Sequence, residues 1–310
     1  MNVLLFFKQL QATLICCFLM TISVSLKAAD SPLSISNLGE GHCLVRINTD
    51  QKYLLLPVED ASPDVHINMI VNNKEVKNLD VRLALHKVDY FVPVDISDFS
   101  GKTIILKFRL NTNDPIHVNL SPENVLCCKE MQLSDTYDTS NREKFRPSYH
   151  FSPLYGWMND PNGMVYKDGE YHLFYQWFPF DAIHGMKHWK HLITKDFQHY
   201  QSADDLIPCE LFESHGCYSG GALKVCDKLA MFYTGNTRRS SDNQRVPYQN
   251  LAIFDLNGKL LSKRPLIENS PEGYTEHVRD PKPYFTEDGK IRFICGAQRE
   301  NLTGTAIIFE

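Results

Sequence analysis

Gly163-Met164-Val165-Tyr166-Lys167 runs into Asp168-Gly169 and out through Glu170-Tyr171-His172-Leu173-Phe174-Tyr175-Gln176. Two strand-like runs rich in β-branched and aromatic residues flank an Asp-Gly pair. A tight two-residue turn needs positive φ, which Asp and Gly adopt at little cost, so the stretch predicts a β-hairpin. The same grammar recurs. Gly221-Ala222-Leu223-Lys224-Val225 turns at Cys226-Asp227-Lys228 into Leu229-Ala230-Met231-Phe232-Tyr233, and Pro283-Tyr284-Phe285 turns at Asp288-Gly289 into Lys290-Ile291-Arg292-Phe293-Ile294-Cys295. Leu251-Ala252-Ile253-Phe254, turning near Asn257-Gly258, adds a further strand between them. The turns fall at steps of about sixty residues, and helical periodicity is nearly absent. An all-β repeat of that length reads as the blades of a β-propeller, with an unrelated β-sandwich as the simpler alternative.

Upstream the pattern changes. Cys43-Leu44-Val45-Arg46-Ile47, Lys52-Tyr53-Leu54-Leu55-Leu56-Pro57-Val58, Val65-His66-Ile67-Asn68-Met69-Ile70-Val71 and Thr103-Ile104-Ile105-Leu106-Lys107-Phe108 are short strands with sandwich-like spacing. The expected organisation is an accessory β-domain over 30–128, a polar linker over 129–147 and the propeller part over 148–310. Residues 1–29 hold no acidic residue, carry Lys8 early, and contain an apolar run from Ala12 to Leu26 that ends in Lys27-Ala28-Ala29. That is a signal-peptide pattern, and the run is short of the roughly 20 residues of a membrane span. The expectation is an exported protein (periplasmic, cell-surface or extracellular) with no stable membrane span after signal removal.

A net charge of -5 without a basic run argues against nucleic acid and suits a neutral substrate. The Trp residues, at 157, 177 and 189, cluster in one stretch, where flat aromatic faces suit sugar rings as well as a core. The cysteines show no CxxC or zinc spacing, and an odd number remains once 1–29 is set aside, so most are expected to be small buried hydrophobes rather than a disulfide framework. His184, His188 and His191 have helical spacing, but in a strand setting this is no metal site; no metal and no cofactor is expected.

The densest chemistry is His150-Phe151-Ser152-Pro153-Leu154-Tyr155-Gly156-Trp157-Met158-Asn159-Asp160-Pro161-Asn162-Gly163. Asp160 stands in a turn preset by Pro161 and Gly163, and Asn159 and Asn162 can donate hydrogen bonds that keep its carboxylate ionised. An oriented, ionised carboxylate is a nucleophile for glycoside hydrolysis; taken alone, the segment also reads as a plain β-turn.

Trp157-Met158-Asn159-Asp160-Pro161-Asn162-Gly163 with Tyr171-His172-Leu173-Phe174-Tyr175-Gln176 resembles the signature of glycoside hydrolase family 32, which holds invertases, sucrose-6-phosphate hydrolases, inulinases and levanases. The resemblance continues in order through His188-Trp189, Tyr218-Ser219-Gly220, Tyr233-Thr234-Gly235-Asn236 and Arg279-Asp280-Pro281. It implies an all-β fold, a small N-terminal β-sandwich-like domain plus an incomplete five-bladed β-propeller. It also implies retaining hydrolysis of terminal β-D-fructofuranosides (sucrose, fructo-oligosaccharides, levan or inulin) without a metal. Carried over, Asp160 is the nucleophile that forms a fructosyl-aspartate, and Asp280 is the transition-state stabiliser that binds fructose hydroxyls. Asn159, Gln176, His184, Trp189, Tyr218, Ser219 and Arg279 are substrate-binding. The implied partner is a fructose-containing oligo- or polysaccharide.

Departures from the family pattern are specific. His184 stands where many members have tryptophan, Lys190 where glycine is usual, and Gly221 where a second serine is common. The family's acid/base glutamate lies in a Glu-Cys pair well after Arg-Asp-Pro, and no such pair occurs here. The expectation is therefore a chain truncated before that glutamate, with an inactive carbohydrate-binding remnant as the alternative to a fructosidase. An inverting five-bladed relative acting on arabinose-type sugars is a further alternative, against which the Asn159–Gly163 motif speaks.

Overall fold

The computed structural model describes residues 31–110, 124–140, 146, 147 and 149–310. The expected signal segment, and part of the expected linker, lie outside them. Among the described residues the regular structure is mostly strand, with one short α-helix, α1 (Leu126–Glu130), and short 3-10 turns. The all-β fold class expected from the hairpin grammar is the one that forms.

The N-terminal part is a sandwich of two antiparallel sheets. One sheet holds β1 (Leu33–Gly39), β2 (His42–Asn48), β4 (Val65–Val71), β5 (Lys74–Val81) and β7 (Thr103–Arg109), in the order β1-β2-β7-β4-β5. The other holds β3 (Tyr53–Val58), β6 (Tyr90–Asp95) and β8 (Gln132–Ser134), in the order β6-β3-β8. Period-2 alternation explains the pairing of faces. In β2, Cys43, Val45 and Ile47 are buried while His42, Arg46 and Asn48 face out. They meet Leu54, Leu56, Ile67, Met69 and Leu106 in one core. β8 lies within the stretch expected as a linker and pairs with β3 through Leu54 and Leu133.

Next come three sheets. The first blade is β9 (Trp157–Lys167), β10 (Glu170–Phe178), β11 (His188–Thr194) and β12 (Tyr200–Ser202). The second is β13 (Cys217–Val225), β14 (Lys228–Arg238), β15 (Arg245–Asp255) and β16 (Leu260–Ile267). The third is β17 (Tyr274–Phe285), β18 (Ile291–Arg299) and β19 (Gly304–Phe309). Each is an antiparallel meander built on the hairpins read from the sequence. Asp168 has φ +50° and Gly169 φ +90°, as the two-residue turn requires.

β13 lies against both β9 and β17, so the first strand of each blade is its inner edge. An inner edge strand has no ladder partner on its free side, which is why Pro161 in β9 and Pro281 in β17 are tolerated inside strands. Between the first and second blades lies a core of Phe174, Trp189, Met231, Tyr233 and Phe254. Phe178, Phe180 and Met186 of the first blade join the sandwich core. Arg82 of the sandwich reaches Asp181 through two nitrogens, and Tyr90 Oη donates to the same carboxylate at 3.0 Å.

No disulfide forms among the described cysteines, most of which are buried. No helix among the described residues is long and apolar enough to cross a membrane.

Candidate active site

Each inner strand carries a bulge, and each bulge carries a candidate residue. In β9, Asn159 and Asp160 together stand opposite Gln176 of β10, between the pairs Pro161–Tyr175 and Met158–Trp177. In β13, Ser219 is the extra residue between the pairs Tyr218–Thr234 and Gly220–Tyr233. In β17, Asp280 and Pro281 stand opposite Cys295, between the pairs Arg279–Gly296 and Lys282–Ile294. A bulge interrupts the ladder and re-aims one side chain. Three bulges on three neighbouring inner edges thus bring Asp160, Ser219 and Asp280 together.

The Asp160 carboxylate is held across the seam between the first two blades. Ser219 Oγ donates to Asp160 Oδ2 at 2.5 Å and accepts from Gln176 Nε2 at 2.8 Å. Gln176 is itself 6% exposed, so the relay is fixed from below. The expectation that Asn159 and Asn162 donate to Asp160 is corrected. Asn159 Oδ1 accepts from Trp157 Nε1 at 2.5 Å, and Asn162 turns inward with its Oδ1 accepting from Gly220 N at 3.4 Å. The charge-assisted donor is the serine of the next blade instead.

Close packing leaves the seam no slack. A Cβ on Gly220 would stand 1.9 Å from Phe232 O, and one on Gly163, at φ +45°, would press on Met231 Sδ and the Trp189 ring, each at 3.1 Å. These approaches let β9 and β13 meet at hydrogen-bond distance.

Asp280 is held differently. It has φ +61°, a left-handed conformation that Asp tolerates better than most residues and that marks a constrained site. Its N–H donates to Thr234 Oγ1 at 3.0 Å; Thr234 Oγ1 donates to Gln249 Oε1 at 3.0 Å, and Gln249 Nε2 to Val278 O at 2.8 Å. Arg279 Nε lies 3.7 Å from Asp280 Oδ2. Burial raises the Asp280 carboxyl above the usual range, with Arg279 opposing and the negative charge of Asp160 adding to the rise. The last effect places the two carboxylates within electrostatic reach of each other.

Of the other expected residues, Tyr218 is half-buried, with the Arg245 guanidinium 5.6 Å over its ring. His184 is exposed on the loop before β11, and partial desolvation and then the Lys187 ammonium hold its imidazole below the ordinary range. Trp189 is placed apart from them. It is 0% exposed, packs edge-on against Phe174 and Tyr233, and donates from Nε1 to Tyr218 O at 3.2 Å. Its ring supports the seam and has no free face to offer a sugar. Sequence reasoning missed the Thr234–Gln249 relay and the buried Lys187. Among the described residues no group of three or more His, Cys, Asp or Glu side chains is arranged to hold a metal ion.

Blades whose inner edges converge two carboxylates on one mouth form the arrangement expected of a propeller-type glycoside hydrolase. The match to known families agrees: the model of the glycosyl hydrolases family 32 N-terminal domain covers residues 150–310, and a domain of unknown function, DUF4980, covers 39–149. The chain belongs to glycoside hydrolase family 32. It is 42% identical over 171 residues to the sucrose-6-phosphate hydrolase of Bacillus subtilis (strain 168), a match over 55% of this chain and 35% of that protein. Among solved structures, a sucrose-6-phosphate hydrolase from Lactobacillus gasseri is 40% identical with a TM-score of 0.48, over 52% of this chain and 33% of that one. A family 32 β-fructofuranosidase of Bombyx mori is 33% identical with a TM-score of 0.47, over 53% and 34%. The chain spans about a third of the length of the relatives it matches.

These relatives overturn the expectation of export. Several are named for sucrose 6-phosphate, a charged sugar phosphate that does not cross a bilayer unaided, because an ion pays a large desolvation penalty there. A protein similar to enzymes of such a substrate points away from the exported setting read from residues 1–29.

Proposed function

We propose that the protein hydrolyses terminal β-D-fructofuranosides of the sucrose type, phosphorylated sucrose among them, with retention of configuration. The observation that carries this reading is the Asp160 carboxylate, held at an inner-strand bulge by the Ser219 hydroxyl with Asp280 in the same mouth.

In this mechanism Asp160 attacks the anomeric carbon of the fructosyl unit as the bond to the leaving oxygen breaks, through an oxocarbenium-like transition state, and forms a fructosyl-aspartate ester. Water then attacks the same carbon, releases fructose and restores the carboxylate. The Ser219 hydroxyl holds one oxygen of Asp160 so that the other faces the sugar. Asp280 accepts fructose hydroxyls, whose hydrogen bonds tighten as positive charge develops on the ring. Arg279, beside Asp280, opposes the rise that burial and the Asp160 charge impose on its carboxyl. Protonation of the leaving oxygen falls to a third group, separate from both, which in the second step takes the proton of the attacking water.

The test is fructose release from sucrose, sucrose 6-phosphate, inulin and levan, with the anomer of the first product followed by NMR. Release of the retained anomer by the native protein, and none by Asp160→Ala, is expected. A second reading is sugar binding without turnover. Heat on titration with fructose, with no release from any of the four substrates, would favour that reading and reject the first.

A further inference from the structure

Lys187 leads into β11 with only 2% of its surface exposed, and its Nζ has no hydrogen-bond partner among the described residues. A buried ammonium without a partner is costly, so its retention calls for a reason. The contrast within the same protein is Lys263, whose equally buried ammonium is held by the Glu213 carboxylate.

The backbone fixes where this charge stands. Lys187 O accepts from Cys217 N at 2.7 Å, which ties it to the first residue of β13. Gly216 is pressed so close that a Cβ there would lie 3.0 Å from Lys187 N. His188 and Trp189, which follow, are buried at 3% and 0% exposure. The ammonium therefore cannot swing into water without opening the seam between the first and second blades. Ser219 lies on that same seam, two residues beyond Cys217, and donates to Asp160.

We propose that Lys187 is a positioning residue for Asp160, a fixed counter-charge to that carboxylate built into the seam between the first two blades. The proposal rests on Asp160 as the nucleophile. Two carboxylates in one mouth repel, and one of them tends to take up a proton. A desolvated cation fixed in that seam sets a positive charge near the attacking group, where Ser219 holds it. Burial pushes the Lys187 amine down to about 8, and the Asp160 carboxylate is the charge that opposes this fall. His184, on the loop before Lys187, feels both charges with opposite sign. On the channel side stand Asp280 and its partner Arg279.

Linkage makes the coupling measurable from the lysine. Whatever Asp160 does to the proton affinity of Lys187, Lys187 does to that of Asp160. The 310-residue chain, carrying lysine labelled with 13C at Cε, is titrated by NMR, with the Lys187 signal assigned by its loss in Lys187→Arg. The expected midpoint is about 8 in the native chain and lower by roughly half a unit or more in Asp160→Asn, which removes the charge and keeps the volume. Ser219→Ala, which leaves the Asp160 charge in place, is expected to shift the midpoint far less. A midpoint at the ordinary lysine value of about 10.4, or one that stays put in Asp160→Asn, would overturn the proposal. Because no turnover is read, a failure of the fructosidase reading leaves this test intact.

Discussion

Ser219 Oγ, the extra residue in the bulge of β13, donates to Asp160 Oδ2 at 2.5 Å while accepting from Gln176 Nε2 at 2.8 Å. A hydrogen bond to a charged acceptor is worth more than a neutral one, and here it also fixes which carboxylate oxygen is free. Ser219→Ala should therefore lower the rate of fructose release by roughly tenfold to a hundredfold, chiefly in kcat. Asp160→Asn should bring release to background. Initial rates on sucrose and sucrose 6-phosphate check both; an unchanged kcat in Ser219→Ala would remove the relay from the mechanism.

The hairpins were legible because their determinants are local. Asp168-Gly169 states its own turn, and the alternation of β2 states its own buried face. The bulges were not, because the extra residue is defined only by the partner strand, such as Gln176 opposite Asn159 and Asp160. For the same reason Asn159 and Asn162 read as donors to Asp160, although the donor comes from the next blade. Trp189 matches a sugar-contacting position in sequence, yet its burial depends on Phe174 and Tyr233, one strand and one blade away. Nothing within His184–His191 signals that Lys187 is the buried, unpartnered charge.

Asp280 should cost stability while it is ionised. Burial and Asp160 raise its carboxyl, against the pull of Arg279. A raised carboxyl favours the folded state fully below its unfolded value, about 3.9, and that gain is lost as pH rises through the higher folded value. Asp280→Asn keeps the side-chain shape that tolerates φ +61° and cannot ionise. Its melting temperature should exceed that of the native protein at pH 7 and converge with it near pH 3.5. Melting curves across that range decide the point, and a lower value at pH 7 would contradict it.

Glu213 ends the 3-10 turn Leu211–Glu213 just before β13 of the second blade. Its side chain is fully buried and takes hydrogen bonds from Lys263 Nζ, from Tyr233 Oη at 2.5 Å and from Cys209 N at 3.2 Å. Lys263 in turn donates to Ile207 O at 2.8 Å. Removing the carboxylate leaves a buried cation uncompensated, which costs about 3–5 kcal/mol. Glu213→Ala should show that loss in urea unfolding, whereas Lys263→Met with Glu213→Leu together should recover much of it. Equal losses in the single and double variants would show that the ion pair is not the cause.

Arg82 ties the N-terminal sandwich to the first blade. Its guanidinium, 14% exposed, meets an Asp181 carboxylate that is 3% exposed, and Tyr90 Oη adds a third donor at 3.0 Å. The apolar bridge of Phe178, Phe180 and Met186 remains without it. Arg82→Met strands the Asp181 charge in the interface. Calorimetry should then resolve the unfolding of the sandwich from that of the blades, at a cost of about 3–5 kcal/mol to their coupling. A single transition at the native temperature would mean that the apolar contact alone couples them.

His188 and His191 make the first blade sensitive to acid. Burial first, then Lys77 and Lys263 for His188 and His172 for His191, push both imidazoles down to about 3. His172 Nδ1 and His191 Nε2 stand 3.0 Å apart, an arrangement that needs at least one neutral ring. Both residues are thus neutral when folded and take up protons when unfolded below about pH 6.5. Their stabilising effect is complete above that pH and is lost as pH falls toward the folded values. Between pH 6.5 and 5, before carboxylates dominate, each should contribute a slope to the unfolding free energy that grows from about 0.7 to about 1.3 kcal/mol per pH unit as the unfolded ring takes up its proton. Urea titrations at half-unit steps measure the slope. His188→Gln removes one of the two protons and should lower the native slope by about that single-histidine amount. A slope unchanged by that substitution would show that the ring already exchanges its proton in the folded protein, by opening of the seam between β10 and β11.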